Sequence, residues 1–474
     1  MIMKINPEIQ VFLNNINKEL LKQNKKCLSK TMISFIAIFM TGCIYLGMIN
    51  ISAFARATLG NFTKGALYWM FHCSKINFSD VFRASLIQIF KVFKINGKVK
   101  IVIDDSDRSR SKIIKKIFGV FKTFDKKTGG YFLAQNIVFI VMVTEKLTFP
   151  IGFTFFRPDP KITKWNKNDK ELKKKGVLKK DRPRKPKRNF EKYPTKIDIA
   201  LKLLIRSQKL IENINKLLGT KINIVSILAD SAYMSPRICN YIKYHFPKTQ
   251  FISQLANNQT VWNRNGKQKS VKEYFKNLEP IKTSIKIRGQ AKIVKYCSAR
   301  LVVKSHGKKR HIIALKYEGE TEYRYLIATD LTWRTEDIIR SYSFRWLIEV
   351  VIEDLKQYSG FGRKASQQGA DSACTCMFLS LLVDHFLLTH PYQHRLFRSG
   401  QSLSTTGSLV RRIQHEGLLK AIEDIFEDPD PQAALENMAN NIQNIFTLRP
   451  SKKHVSSGNE WNFGPSESLK RIYK

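Results

Sequence analysis

Four acidic residues stand where carboxylates can do chemistry. Asp104 and Asp105 close the β-branched run Lys98-Val-Lys-Ile-Val-Ile, Asp230 follows the apolar run Ile222–Leu228, and Glu349 lies in a helical stretch. Carboxylates gathered at the ends of neighbouring buried strands repel one another unless a cation offsets their charge. Hard divalent ions take such oxygen ligands, and Mg²⁺ usually takes a few of them plus water and phosphate oxygens. Two such ions about 3.5–4 Å apart hold the attacking and leaving oxygens of an in-line phosphoryl displacement. The set therefore points to metal-dependent cutting of phosphodiester bonds. A single Asp at a strand end is otherwise an ordinary turn residue.

Glu349 has company. Tyr342, Arg345, Glu349 and Lys356 lie at offsets 0, 3, 7 and 14 in the stretch Ser341–Tyr358. At about 100° per residue, all four fall on one stripe about 60° wide. A packed helix is expected to be apolar there. Trp346, Leu347, Val350, Val351, Ile352 and Leu355 supply the buried sides. The plainer alternative is a salt-bridged surface in which Arg345 and Lys356 pair with Glu349 or Glu353.

The elements that must position these groups read as a mixed α/β chain. Strands are expected at Lys98–Asp105, Tyr131–Val143, Leu147–Phe156, Ile222–Leu228 and Gln250–Gln254, with helices at Thr195–Leu218 and Pro236–Phe246. Several β-like runs follow between about 259 and 330, among them Ile281–Ile287, His311–Leu315 and Tyr325–Ala328. Thr335–Tyr358 and Ser372–Leu388 read as helices. Residues 1–97 read as helical, with Ser79–Phe93 amphipathic, and Ala55–Phe78 leaves room for a helix-turn-helix around Gly60. The expected organisation is a helical domain over 1–97 that binds DNA ends, a catalytic core over 98–258 and 331–392, an inserted β-rich subdomain over 259–330, and a C-terminal region over 393–474 for partner contacts.

Charge names the partner class. The 474 residues carry 82 Lys and Arg against 38 Asp and Glu, a net charge of +44. A 43% hydrophobic content with 31 Phe excludes a disordered polycation. Such a charge attracts polyanions, of which nucleic acid is the commonest. Residues 161–196 alone hold 16 basic and 4 acidic residues, without an apolar period, and are expected to form an exposed flexible arm that tracks phosphates. Residues 401–474 balance at 9 against 9, so the excess lies in the first 400 residues.

Seven scattered cysteines without a C-x-x-C pair favour a reducing cytosol over a disulfide framework or a zinc ribbon. The spacing of Cys374 and Cys376 speaks against metal ligation. Thr31–Ala55 is uncharged and long enough to span a bilayer, but polar interruptions favour buried helices over a membrane segment.

Three blocks of this sequence resemble one known group. Tyr342-x2-Arg345-x3-Glu349-x6-Lys356 is similar to the Y-R-E-K signature of bacterial insertion-sequence transposases of the DDE type. Ile103-Asp104-Asp105-Ser106 resembles the group's first acidic block, and Leu228-Ala229-Asp230-Ser231-Ala232-Tyr233 its second. The resemblance spans roughly residues 98–390, and the 118 residues between Asp230 and Glu349 leave room for the β-rich insertion found there in the group.

The resemblance implies an RNase H-like catalytic domain and cut-and-paste DNA transposition. Asp105, Asp230 and Glu349 would hold two Mg²⁺ (or Mn²⁺) ions, and Tyr342, Arg345 and Lys356 would hold phosphates of the element end. The implied partners are the terminal inverted repeats and target DNA, with a dimer on DNA, no membrane, and a nucleoid-associated place in the cytoplasm. A transposase-derived DNA-binding protein without activity is the alternative. Side chains alternate along a strand, so only one of Asp104 and Asp105 can face the metals. The group's usual ligand directly precedes Ser or Thr, which selects Asp105; Asp107 shares its face if the strand continues.

Overall fold

In the computed structural model each of the first five helices starts at a side-chain cap. They are α1 (Pro7–Lys22), α2 (Lys30–Leu46), α3 (Ile51–Ala57), α4 (Lys64–Cys73) and α5 (Phe78–Val92), capped by Asn6, Ser29, Asn50, Thr63 and Asn77. Each cap oxygen accepts a first-turn backbone N–H, an interaction worth about 1 kcal/mol. The structure describes residues 6–47, 49–58, 62–110, 117–125, 128–262, 266–287, 289–361 and 369–445, with side chains as far as 440. Gly60, the centre of the possible helix-turn-helix, lies outside them.

After α5 come β1 (Lys98–Arg110), β2 (Val120–Phe124), β3 (Tyr131–Val143), β4 (Thr148–Phe156), α6 (Pro160–Lys174), α7 (Lys196–Leu218), β5 (Asn223–Ala229), α8 (Pro236–His245) and β6 (Gln250–Leu255). Then follow β7 (Thr260–Trp262), β8 (Gln268–Ser270), α9 (Val271–Phe275), β9 (Ile281–Ile287), β10 (Gln290–Val303), β11 (Lys308–Tyr317) and β12 (Arg324–Ala328). The chain ends in α10 (Thr335–Tyr342), α11 (Leu347–Gln357), α12 (Ala370–Thr389), α13 (Pro391–Arg398), α14 (Thr406–Phe426) and α15 (Pro431–Ile445).

The described strands form one sheet in the order β2-β3-β1-β5-β6-β12-β11-β10-β7-β8, with β4 on β3 and β9 on β10. β1 lies antiparallel to β3 and parallel to β5, and β5 is parallel to β6. Val99, Ile101, Val102 and Ile103 bury β1 on both faces, which is what a central strand covered on two sides requires. The β-rich block expected at 259–330 is not a separate sheet. β12 pairs with β6 and carries β11 and β10 outward, so the block extends the central sheet while keeping a small core of its own around Val261, Phe275 and Ile312.

Two sequence expectations change. The arm over 161–196 contains α6, because Asp159 caps it and Pro160 opens it. The returning chain folds against it, with Trp165 Nε1 donating to the Pro183 carbonyl (2.8 Å) and Arg182 paired to Asp169 (3.1 Å). Cap and side-chain contacts order this segment where an apolar period does not.

The helix expected over 335–358 is present as α10 and α11, which run on from one another through a tighter turn. Ser343–Trp346 forms a tighter 3-10 turn between α10 and α11, and Ser343 Oγ donates to the Arg340 carbonyl (2.7 Å). That bond competes with helical pairing. A 3-10 turn advances about 3.0 residues per turn, so the 100° projection of Tyr342, Arg345, Glu349 and Lys356 does not run through it.

Within the apolar run 31–55, α2 buries most of Ile33–Ile44 in a helical layer, to which α3 adds Phe54 and Ala57. α2 packs with α1, α12 and α14 around Ile36, Phe39, Met40 and Phe386. Gly42 is required there, since a Cβ would lie 2.4 Å from the Phe54 ring. α14 is tied back by Gln414 Nε2, which donates to the Ile44 carbonyl (2.7 Å). Among the described residues one helix, α12, is long and apolar enough to cross a membrane, and most of it is buried in this layer.

Candidate active site

Strand alternation along β1 separates two groups of side chains. Lys356 Nζ donates to Ser106 Oγ (2.7 Å) and Arg345 Nη1 donates to Asp104 Oδ2 (2.9 Å). Lys100 lies over the Phe344 ring at 5.0 Å. Positions 100, 104 and 106 therefore face the turn 343–346 and α11. Asp105 and Asp107 face the other way. Asn136 Nδ2, opposite Asp107 on β3, donates to Asp105 Oδ2 (2.7 Å) and Asp107 Oδ1 (2.8 Å). Lys196 Nζ, at the start of α7, donates to Asp105 Oδ2 (2.7 Å), and the buried Tyr233 hydroxyl donates to Asp105 Oδ1 (2.9 Å).

Asp230 belongs with Asp104. The parallel register sets Ile103 beside Ala229, which brings the next residues, Asp104 and Asp230, to neighbouring strand ends. Ser226, four residues before Asp230 and on the same face, meets Ser341 of α10 (3.1 Å). The Asp230 carboxylate accepts from Ser231 N–H (2.6 Å). Burial pushes the Asp104 carboxyl up to about 7, with the charges of Asp105 and Asp230 adding, while the Asp105 N–H and the Arg345 guanidinium oppose. The partly buried Tyr342 has its hydroxyl enclosed near Arg345, Asp230 and Asp104, and its pKa is raised, chiefly by burial.

Glu349, in the first turn of α11, is half exposed and accepts from Arg345 Nη2. Ile348, Val351 and Leu355 bury the opposite side of α11 in the main core. Burial lowers the Lys356 pKa, with Asp107 and Glu353 opposing.

Of the six residues singled out, the structure thus gathers Asp230, Glu349, Tyr342, Arg345 and Lys356 on one face, and places Asp105 on the other. The position facing them on β1 is Asp104. The partners of Asp105 were not singled out. Asn136 had a signal, a polar residue inside the apolar run of β3. Tyr233 sits within the second acidic block. Lys196 had none apart from lying just after Thr195, whose side chain forms a capping box with Asp198.

Among the described residues no group of three or more His, Cys, Asp or Glu is set closely enough to hold a metal ion. Arg345 instead spans Asp104 and Glu349. The donors are nevertheless of the right kind. Three oxygen donors share a face, and one of them, Asp104, is a largely buried carboxyl whose ionisation is opposed chiefly by burial, a cost that a hard cation offsets.

Residues 184–370 match a family model described as "archaeal putative transposase ISC1217". The match covers Asp230, Tyr342, Arg345, Glu349 and Lys356 but not Asp104 or Asp105, and it takes in less than half of the chain. It supports a transposase of the DDE type. No curated protein matches the chain. A solved structure, the cryo-EM synaptic complex of piggyBac transposase with hairpin DNA, aligns over 98% of this chain and 89% of that one, at 11% identity and a TM-score of 0.41. That score is too low to define a shared fold.

Proposed function

We propose that the chain is a DNA transposase that binds the ends of its own element and cuts and rejoins phosphodiester bonds there with the help of divalent metal. The observation that carries this reading is that Asp104 and Asp230 end neighbouring strands while Arg345 bridges Asp104 to Glu349 and Lys356 holds Ser106 on the same side of the sheet. The strand order β4-β3-β1-β5-β6, with β3 antiparallel and β5 and β6 parallel to β1, supports an RNase H-like core.

In this proposal Asp104 takes the place that the sequence resemblance gave to Asp105. Asp104, Asp230 and Glu349 would hold two Mg²⁺ or Mn²⁺ ions, which when bound polarise phosphoryl oxygens and stabilise the charge of an in-line displacement. Arg345 suits a two-point grip on a phosphate once it leaves the carboxylates, and Lys356 acts as a point charge steadied by Ser106. Tyr342 closes the buried side of the site beside Arg345. The +44 charge draws DNA to this surface.

The test is incubation of the purified chain with Mg²⁺ and DNA carrying the sequences that flank its own gene. Cleavage at matched inverted repeats is expected. Binding without cleavage would instead select the inactive, DNA-binding alternative.

A further inference from the structure

The 3-10 turn that aims Arg345 at Asp104 also presents Phe344 to a second hollow. This cavity of about 600 Å³ lies on the same face of β1, toward its first residues. Lys94, Lys98, Lys100 and Lys146 line it together with Phe93, Phe344 and Phe397, and Glu145 is its only acidic wall residue. Lys100 and Lys146 are set over the rings of Phe344 and Phe397, at 5.0 and 5.3 Å. Among the described residues none of the four lysines has a carboxylate partner.

Gathering four ammonium groups around one hollow is unfavourable without an anion. Burial and the charge of Lys98 lower the Lys100 pKa. The fold nonetheless holds the group in place. Asn96 Oδ1 accepts from Gly97 N–H (2.8 Å) and Lys221 N–H (2.7 Å), and Gly97 takes a φ of +79° at the turn into β1. Lys94 itself takes a φ of +48°, where a side chain is strained.

We propose that this hollow is a phosphate-binding pocket that holds the backbone of the DNA strand away from the scissile bond. The inference rests on the function proposed above. Lys100 precedes Asp104 by four residues, about 13 Å along a strand, or about four base steps at 3.4 Å each. One strand running along this face of β1 would meet Arg345 and Lys356 at the carboxylates and the lysines beyond them. The ring faces keep the ammonium groups oriented.

The test uses the full chain, a fluorescein-labelled DNA duplex of mixed sequence, and the triple variant Lys98→Gln, Lys100→Gln, Lys146→Gln, none of which touches Asp104, Asp230 or Glu349. Binding is measured by anisotropy across a salt series. The variant is expected to bind about tenfold more weakly, with a salt slope reduced by about 0.9 for each phosphate that it no longer neutralises. The triple Arg variant at the same positions is expected to bind as wild type. An unchanged affinity and slope in the Gln variant would overturn the pocket, while wild type binding no DNA would overturn the proposed function itself. Inorganic pyrophosphate is titrated in parallel. Its loss of binding in the Gln variant, with duplex binding intact, would assign the pocket to a free phosphate compound and overturn the DNA proposal.

Discussion

Arg345 ties Asp104 to Glu349: one guanidinium nitrogen lies 2.9 Å from Asp104 Oδ2 and another donates to Glu349 Oε1. The side chain is 18% exposed, so this bridge is largely screened from water by protein. The guanidinium supplies the positive charge that these two carboxylates need, in the place where a divalent cation would act. If these carboxylates hold metal as proposed, arginine and metal would compete for the same oxygens.

Removing the competitor separates metal binding from catalysis. Arg345→Ala is expected to bind Mn²⁺ more tightly, by about tenfold if about 1.4 kcal/mol of competition is relieved. DNA cleavage should fall by roughly 10²-fold, the usual scale for deleting one donor to a reacting oxyanion. Electron paramagnetic resonance of free Mn²⁺ reads the first and a nicking assay the second. Weaker Mn²⁺ binding would show that Arg345 orients the carboxylates instead of competing for them.

Asp105 is expected to matter chiefly for stability. It accepts from Lys196, Tyr233 and Asn136, and so ties β1 to α7 and to the turn after β5. Asp105→Ala would leave these donors without their acceptor, a loss of about 1–3 kcal/mol. Urea unfolding monitored by circular dichroism measures it. A midpoint unchanged from wild type would remove Asp105 from the scaffold.

The helical layer should respond to Gly42. A methyl there would meet the Phe54 ring, so Gly42→Ala is expected to destabilise the protein by about 1–3 kcal/mol through overpacking. Phe54→Leu in the same chain should recover part of that loss. A single variant as stable as wild type would mean that α2 and α3 do not pack this closely.

His385 gives the layer a pH dependence. Its ring is buried between Ser85 Oγ (2.8 Å) and the Pro150 carbonyl (3.0 Å), and burial lowers its pKa to about 4. Above pH 6.5 neither the folded nor the unfolded state holds the extra proton. Below it the unfolded chain protonates first, so stability falls with pH until about 4, by about 3 kcal/mol. Thermal melts of wild type and His385→Gln between pH 4 and 7 test this, and the variant should show the shallower slope. Parallel slopes would assign the acid sensitivity to other groups.

How much of this was legible in the sequence differs by element. β3, β9 and α7 match their expected bounds almost to the residue: β3 is an apolar run buried on both faces, and α7 buries one amphipathic stripe. α6 escaped because its order comes from Asp159 and from the folded-back Trp165 and Arg182, contacts with no period. The 3-10 turn after Tyr342 coincides with one serine hydroxyl bond, a signal too small to see against the strong apolar pattern on either side. The choice between Asp104 and Asp105 was not legible. Alternation says that they face opposite ways, but only the partners, Arg345 for one and Lys196 for the other, say which face is which.

The most direct measurement compares Asp104→Asn with Asp105→Asn in Mn²⁺-dependent cleavage of DNA carrying the element's own ends, each variant first shown to be folded. The expected result is cleavage abolished in Asp104→Asn, as in Asp230→Asn and Glu349→Gln, with cleavage retained in Asp105→Asn. Full cleavage by Asp104→Asn together with none by Asp105→Asn would contradict the site built here and return the metal to the other face of β1.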